Sequence, residues 1–188
     1  MPPCTFGTRF RASPEPHPFL VLTRIRAPES FTPSAGFRHS PKNFNCRYPT
    51  SITGEEIAKL NPDTVRIYPT VVLGDTELEE LYKQGEYLPP SLEESVEICA
   101  WLHRIFTEKG INIIRTGLQS TDLICEKGGI VAGAYHSAFG ELVMSRILRD
   151  DMEEKVKQGK RVIAVPKKLV SAAIGQKKAN KKYFKEKY

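Results

Sequence analysis

Apolar residues in the middle of this chain recur with a clear period. In "SLEESVEICAWLHRIFTEKG" (residues 91–110), Leu92, Val96, Cys99, Leu102 and Phe106 return at steps of three and four. That spacing lines one face of a helix. Ser91 and Glu94 stand in the S-x-x-E arrangement of a capping box, and Gly110 supplies the stop. On either side, "TVRIYPTVV" (64–72) and "INIIRTGL" (111–118) are β-branched and apolar nearly throughout. This is the pattern of parallel strands covered on both faces. Strand, long helix, strand predicts a parallel βαβ unit. Shorter helices are predicted over "TGEEIAKL" (53–60), with Ser51 or Thr53 as N-cap, and over "DTELEELYKQG" (75–85), closed by Gly85.

Beyond residue 118 the pattern loosens. "QSTDLICEKGGIVAGAYHSAFGELV" reads as a loop whose glycines at 128, 129, 133 and 140 let it pack closely against a neighbour. "FGELVMSRILRDDMEEKVKQG" is an amphipathic helix ending at Gly159, "KRVIAVP" a short strand, and "KKLVSAAIGQKKANKKYFKEKY" helical with a break at Gly175. Residues 1–49 hold nine of the fourteen prolines, and no period there survives more than a few residues. Three readings stand for that segment: disorder, text that is not evolved protein sequence, or an Arg-rich transit peptide. The fold class is α/β, with three parts. These are an irregular N-terminus (1–49), the end of a barrel and its extension (50–145), and a small basic tail (146–188).

Charge sharpens that division. Of the net +6, residues 1–49 carry +5, residues 50–154 carry −10 and residues 155–188 carry +11. An acidic body is thus flanked by basic ends, the kind of block that often interacts with partners. No apolar run approaches the length of a membrane span, so a cytoplasmic protein is expected. The four cysteines, Cys4, Cys46, Cys99 and Cys125, form no C-x-x-C. Cys99 falls on the apolar helix face, where packing is its expected role.

Catalytic groups of α/β barrels sit at the carboxyl ends of parallel strands. Here those positions are Tyr68, Pro69 and Thr70, then Arg115, Thr116 and Gly117. Tyr68 is suited to donating a hydrogen bond, and Arg115 to gripping a carboxylate or phosphate. The competing reading packs Tyr68 in the core and pairs Arg115 with one of many acids. His136, among small residues in "AGAYHSAFGE", is either a base or a hydrogen-bonded loop residue. No histidine or cysteine stands at ligand spacing from it, which argues against a metal. Nucleotide-binding and hydrolase motifs are absent.

The text "RIYPTVVLGDTELEELYKQGEYLPPSLEESVEICAWLHRIFTEKGINIIRTGLQ" resembles the C-terminal part of radical-SAM proteins. The nearest branch is the bacterial one similar to the catalytic subunit of Elongator, often loosely described as coproporphyrinogen-oxidase-like. "GGIVAGAYHSAFGELV" and "VPKKLVSAAIGQKKANKKYF" continue the likeness, so it runs from about Glu56 onward. The resemblance implies a partial (β/α) barrel, a [4Fe–4S] cluster on a C-x-x-x-C-x-x-C loop, S-adenosylmethionine as cofactor, and tRNA as substrate. Should a barrel partner exist, Tyr68, Thr70, Arg115, Gln119 and His136 are the residues expected to face substrate or cofactor.

The cluster motif occurs nowhere in this chain. The expectation is therefore a truncated member that is inactive alone, with its barrel half elsewhere and no cluster or cofactor of its own. The alternative is a separate RNA-binding module. Its tail would track a phosphate backbone through Lys177, Lys178, Lys181 and Lys182 and stack a base on Tyr183. "VSAAIGQKKAN" resembles the centre of a KH domain, though its loop lacks the second glycine of G-x-x-G.

Overall fold

A computed structural model describes residues 54–121, 124 and 129–188, together with the backbone of Phe19–Arg24. The N-cap expected at Ser51 or Thr53, and Cys4, Cys46 and Cys125, lie outside the described residues.

The predicted βαβ unit is present. Strand β2 (Thr64–Pro69) pairs in parallel with β4 (Asn112–Thr116), and α3 (Leu92–Glu108) connects them. Helix α1 (54–59) precedes β2, and α2 (Glu77–Gln84) lies between β2 and α3. The α3 start follows from its capping box. The Ser91 hydroxyl accepts the Glu94 N–H at 3.3 Å, and the Glu94 carboxylate accepts the Ser91 N–H at 2.9 Å. Gly85 ends α2 in the left-handed region at φ 77°, with the Glu86 N–H reaching Leu81 O at 2.9 Å.

Four expectations are corrected. The coil expected throughout residues 1–49 gives way at Phe19–Arg24 to strand β1, which pairs antiparallel with β2 and makes the sheet β1–β2–β4. The single strand expected over 64–72 divides at Thr70. Pro69 lacks the N–H to continue a ladder, and β3 (Val71–Leu73) joins a second sheet. There it pairs antiparallel with β5 (Ile130–Gly133), a strand inside the stretch expected to be loop. The strand expected over 160–166 does not form: Val162 is 88 % exposed, and among the described residues no strand pairs with it.

The fourth correction concerns burial. In β2, Val65, Ile67 and Pro69 are buried while Arg66 is exposed, so the strand is covered on one face only. In β4, Asn112, Ile114 and Arg115 are exposed. The covered face packs against α3 and α4 (Phe139–Lys157), whose Ile98, Leu102, Phe106, Phe139 and Val143 complete the core. Each such large side chain taken fully from water is worth about 1.5–3 kcal/mol. Charge pairs tie the two helices together at their edges. Arg104 bonds Asp151 at 2.9 Å, and Arg146, steadied by Asp150 of its own helix at 3.0 Å, bonds Glu97 at 2.7 Å.

Past α4 the chain folds back as α5 (Val170–Ile174) and α6 (Ala179–Lys187), breaking at Gly175 as expected. Buried Asn180 holds this turn to α4. Its Nδ2 donates to Ser145 O and Oγ, both at 2.9 Å, and lies near the Ala172 and Ala173 carbonyls.

Candidate functional site

Three segments meet at the carboxyl ends of β2 and β4. The Gly117 N–H donates to Ile67 O at 2.8 Å, which brings the chain after β4 beside the end of β2. Gly133, at φ 107°, leaves only 3.0 Å between a would-be Cβ and both Thr70 O and Val71 Cα. Gly140, in the first turn of α4, leaves 3.1 Å to Thr116 O. The close packing expected of the glycines is therefore present at Gly133 and Gly140. Gly140 achieves it from a helix rather than a loop.

Side chains at this rim are polar. Arg115 Nη1 donates to Gln119 Oε1 at 2.8 Å, so the guanidinium is oriented by an amide and not by the carboxylate of the competing reading. Tyr68 is half-buried. His136, also half-buried, accepts the Ala138 N–H on Nδ1 at 3.0 Å. That bond fixes the neutral ring's proton on Nε2. The carbonyl of His136 accepts the Phe139 N–H at 3.0 Å, so the residue also shapes the entry to α4. Sequence reasoning missed one pair: Ser120 Oγ and Tyr135 OH lie 2.7 Å apart and join the segment after β4 to the segment after β5. Neither carries a motif, and the pair exists only because the two segments converge.

The fold brings Arg115 and Gln119 into direct contact and sets Tyr68, Thr70 and His136 on the neighbouring segments. The tail candidates lie elsewhere. Lys177, Lys178, Lys181 and Lys182 are exposed around the α5–α6 turn. Lys177 and Lys178 both take positive φ, at 51° and 63°. Tyr183 is occupied: its hydroxyl donates to Glu153 Oε2 at 2.7 Å, Arg149 sits 4.8 Å from its ring centroid and Lys187 5.0 Å. Tyr183 is thus engaged more closely within the chain than Tyr188, whose ring centroid lies 6.0 Å from Lys187 Nζ.

Cys99, the one cysteine among the described residues, does not suit a cluster. Cys99 is fully buried in the core, and burial pushes its thiol well above the ordinary range, away from the thiolate that iron requires. The other three lie dozens of residues away along the chain. Among the described residues, no three His, Cys, Asp or Glu side chains gather as a metal site, and no helix is long and apolar enough to cross a membrane.

Residues 62–149 match the family model of the Radical_SAM C-terminal domain. The chain is 39 % identical over 82 residues to a tRNA uridine(34) acetyltransferase of Methanocaldococcus jannaschii, and 37 % identical over 82 residues to one of Methanocaldococcus infernus. Each match takes in 44 % of this chain and spans 14 % of the relative's length. The matched stretch contains β2, α3, β4 and the first turns of α4, the elements that build the polar rim. Residues 62–149 are thus similar to the radical-SAM C-terminal domain, and the likeness extends over just under half of the chain.

Proposed function

We propose that this chain supplies the C-terminal end of a radical-SAM enzyme that modifies tRNA in the cytoplasm, and that by itself it does not perform the radical step. What supports the tRNA reading is the likeness to two proteins whose names state tRNA uridine(34) acetylation. What supports the site is the Arg115–Gln119 contact beside the carboxyl ends of one parallel strand pair, with Tyr68, Thr70 and His136 on the neighbouring segments. Such strand ends are where α/β barrels place their chemistry. In this reading Arg115, held by Gln119, grips an anionic group, and Tyr68 and His136 Nε2 donate hydrogen bonds that orient substrate. When bound, the family's cluster would reduce S-adenosylmethionine. The C-x-x-x-C-x-x-C motif is absent from this chain, so in this reading the thiolates come from a separate barrel half.

Anaerobic reconstitution with iron and sulfide tests the proposal. The chain alone is expected to retain no stoichiometric cluster and to cleave no S-adenosylmethionine. Recovery of about four irons per chain, together with 5′-deoxyadenosine formation, would overturn it. In a full-length relative, replacing the counterparts of Arg115 and His136 is expected to lower turnover while leaving the melting temperature unchanged. Equal losses of both would mean that these residues serve packing.

A second reading, RNA binding by the basic tail, is favoured by the exposed lysines at 177, 178, 181 and 182. Among the described residues none of the four enters an ion pair. It is compatible with the first, since a tRNA-modifying enzyme needs phosphate contacts.

A further inference from the structure

A groove of about 420 Å³ opens between the end of α4, the irregular stretch after it, and α6. Its apolar lining comes from Met152, Val156 and Ile163, with Phe184 and Tyr188 alongside. The Phe184 and Tyr188 rings lie nearly parallel, 29° apart with centroids at 6.2 Å, and Tyr188 is 58 % exposed. Lys160 and Arg161 share the same lining and are exposed. The volume falls within the range of small-ligand sites, about 300–1,000 Å³.

Unpaired charge lies beside this groove, as it does at the α5–α6 turn. Residues 155–188 carry twelve Lys and Arg against one acid. Lys157 and Lys187 are both engaged by Glu153, at 3.1 and 2.7 Å. Lys160 and Arg161 enter no ion pair among the described residues. Glu153, the nearby acid, also accepts from Tyr183 and lies 3.2 Å from the Tyr188 hydroxyl. Its charge is thus spent inside the protein while two cations remain at the groove. An apolar slot with an exposed aromatic face and unneutralised cations matches a nucleotide, whose base is flat and whose phosphate is anionic. Aromatic stacking and backbone charge are the two parts of single-stranded nucleic-acid binding.

We infer that the groove between Lys160–Arg161 and Phe184–Tyr188 binds one unpaired nucleotide of RNA. Its base lies against Tyr188, and its phosphate contacts Lys160 and Arg161. The inference rests on the tRNA reading above and gives it a contact surface distinct from Tyr183 and the α5–α6 turn. Unpaired RNA is required because a base held in a duplex has no free face to offer.

The test is fluorescence anisotropy of the full chain with a labelled oligouridylate, a blunt RNA duplex and a tRNA transcript, each at low and moderate salt. Tyr188→Ala is expected to weaken oligouridylate binding about fivefold or more, the loss of one stacked base. Lys160→Glu with Arg161→Glu is expected to weaken it about tenfold or more and to flatten the salt dependence. Lys109→Glu, an exposed charge reversal at the end of α3, should change affinity less than about twofold. A 4-thiouridine crosslink should map to Phe184 or Tyr188. Melting curves establish that the variants fold; should Tyr188→Ala unfold, the double charge reversal carries the test. Two results would overturn the inference alone while leaving tRNA binding intact: indifference to all groove variants, or an equal preference for duplex. A loss confined to Lys177→Glu with Lys178→Glu would likewise move the site to the α5–α6 turn. No binding of any RNA would overturn both this inference and the tRNA reading.

Discussion

At the scale of single residues, the rim depends on places where a side chain cannot be added. Gly117 is the clearest. Its φ of 93° lies where L-residues are strained, and a Cβ there would come within 2.9 Å of the Phe139 side chain, which is buried at 2 % exposure. Gly117→Ala therefore combines left-handed strain with overpacking, for a loss of about 2–4 kcal/mol. Chemical denaturation measures it, and a loss under about 0.5 kcal/mol would show that Phe139 yields easily. The glycine could be read in the sequence as a stop after a strand. The neighbour that makes it irreplaceable sits on α4, twenty-two positions on, and no local pattern announces that contact. Tyr183 shows the same lesson in reverse. An aromatic among lysines looked ready to stack a base, but Arg149 and Glu153, a helix away, had already engaged it.

Among elements, α6 has little apolar surface to hold it, so its attachment is largely polar. Glu153 on α4 gathers Lys187, Tyr183 and Lys157, and those hydrogen bonds hold its carboxyl well below the usual range. A depressed carboxylate contributes stability that is present above its unfolded pKa. That contribution drains away as pH falls from about 4.3 toward the folded value. Docking of α6 should thus weaken on acidification, read by amide exchange across residues 179–187. Glu153→Gln should lose this acid dependence and show faster exchange already at neutral pH. Equal acid sensitivity in the variant would place the effect elsewhere. Helix α3 is the opposite case, legible from end to end. Its capping box and apolar stripe are contained within its own twenty residues, and both appear where the pattern sets them.

For the whole molecule, the open sheet is the main consequence of the architecture. Among the described residues β4 pairs only with β2, and its Ile114 is 49 % exposed. An unpaired edge with an exposed apolar side chain templates association. The chain should self-associate as concentration rises, and Ile114→Lys should suppress light scattering without lowering the melting temperature. Undiminished scattering in the variant would shift attention from this edge to another surface.

What the sequence determined by itself is the local framework: the capped helix α3, the parallel order of β2 and β4 around it, the stops at Gly85 and Gly175, and the kinship of residues 62–149. These follow from patterns complete within a short window, where periodicity, caps and glycine stops act without help from distant residues. Only the tertiary structure decided that the sheet is covered on one face and that "TVRIYPTVV" divides at Thr70 between two sheets. It also paired Ser120 with Tyr135, and set Lys160 and Arg161 in the same groove as Tyr188. Each of those outcomes depends on which distant surface arrives as neighbour. Strand pairing, burial and ion pairing are set by that arrival, and a residue's own surroundings in the chain do not contain it.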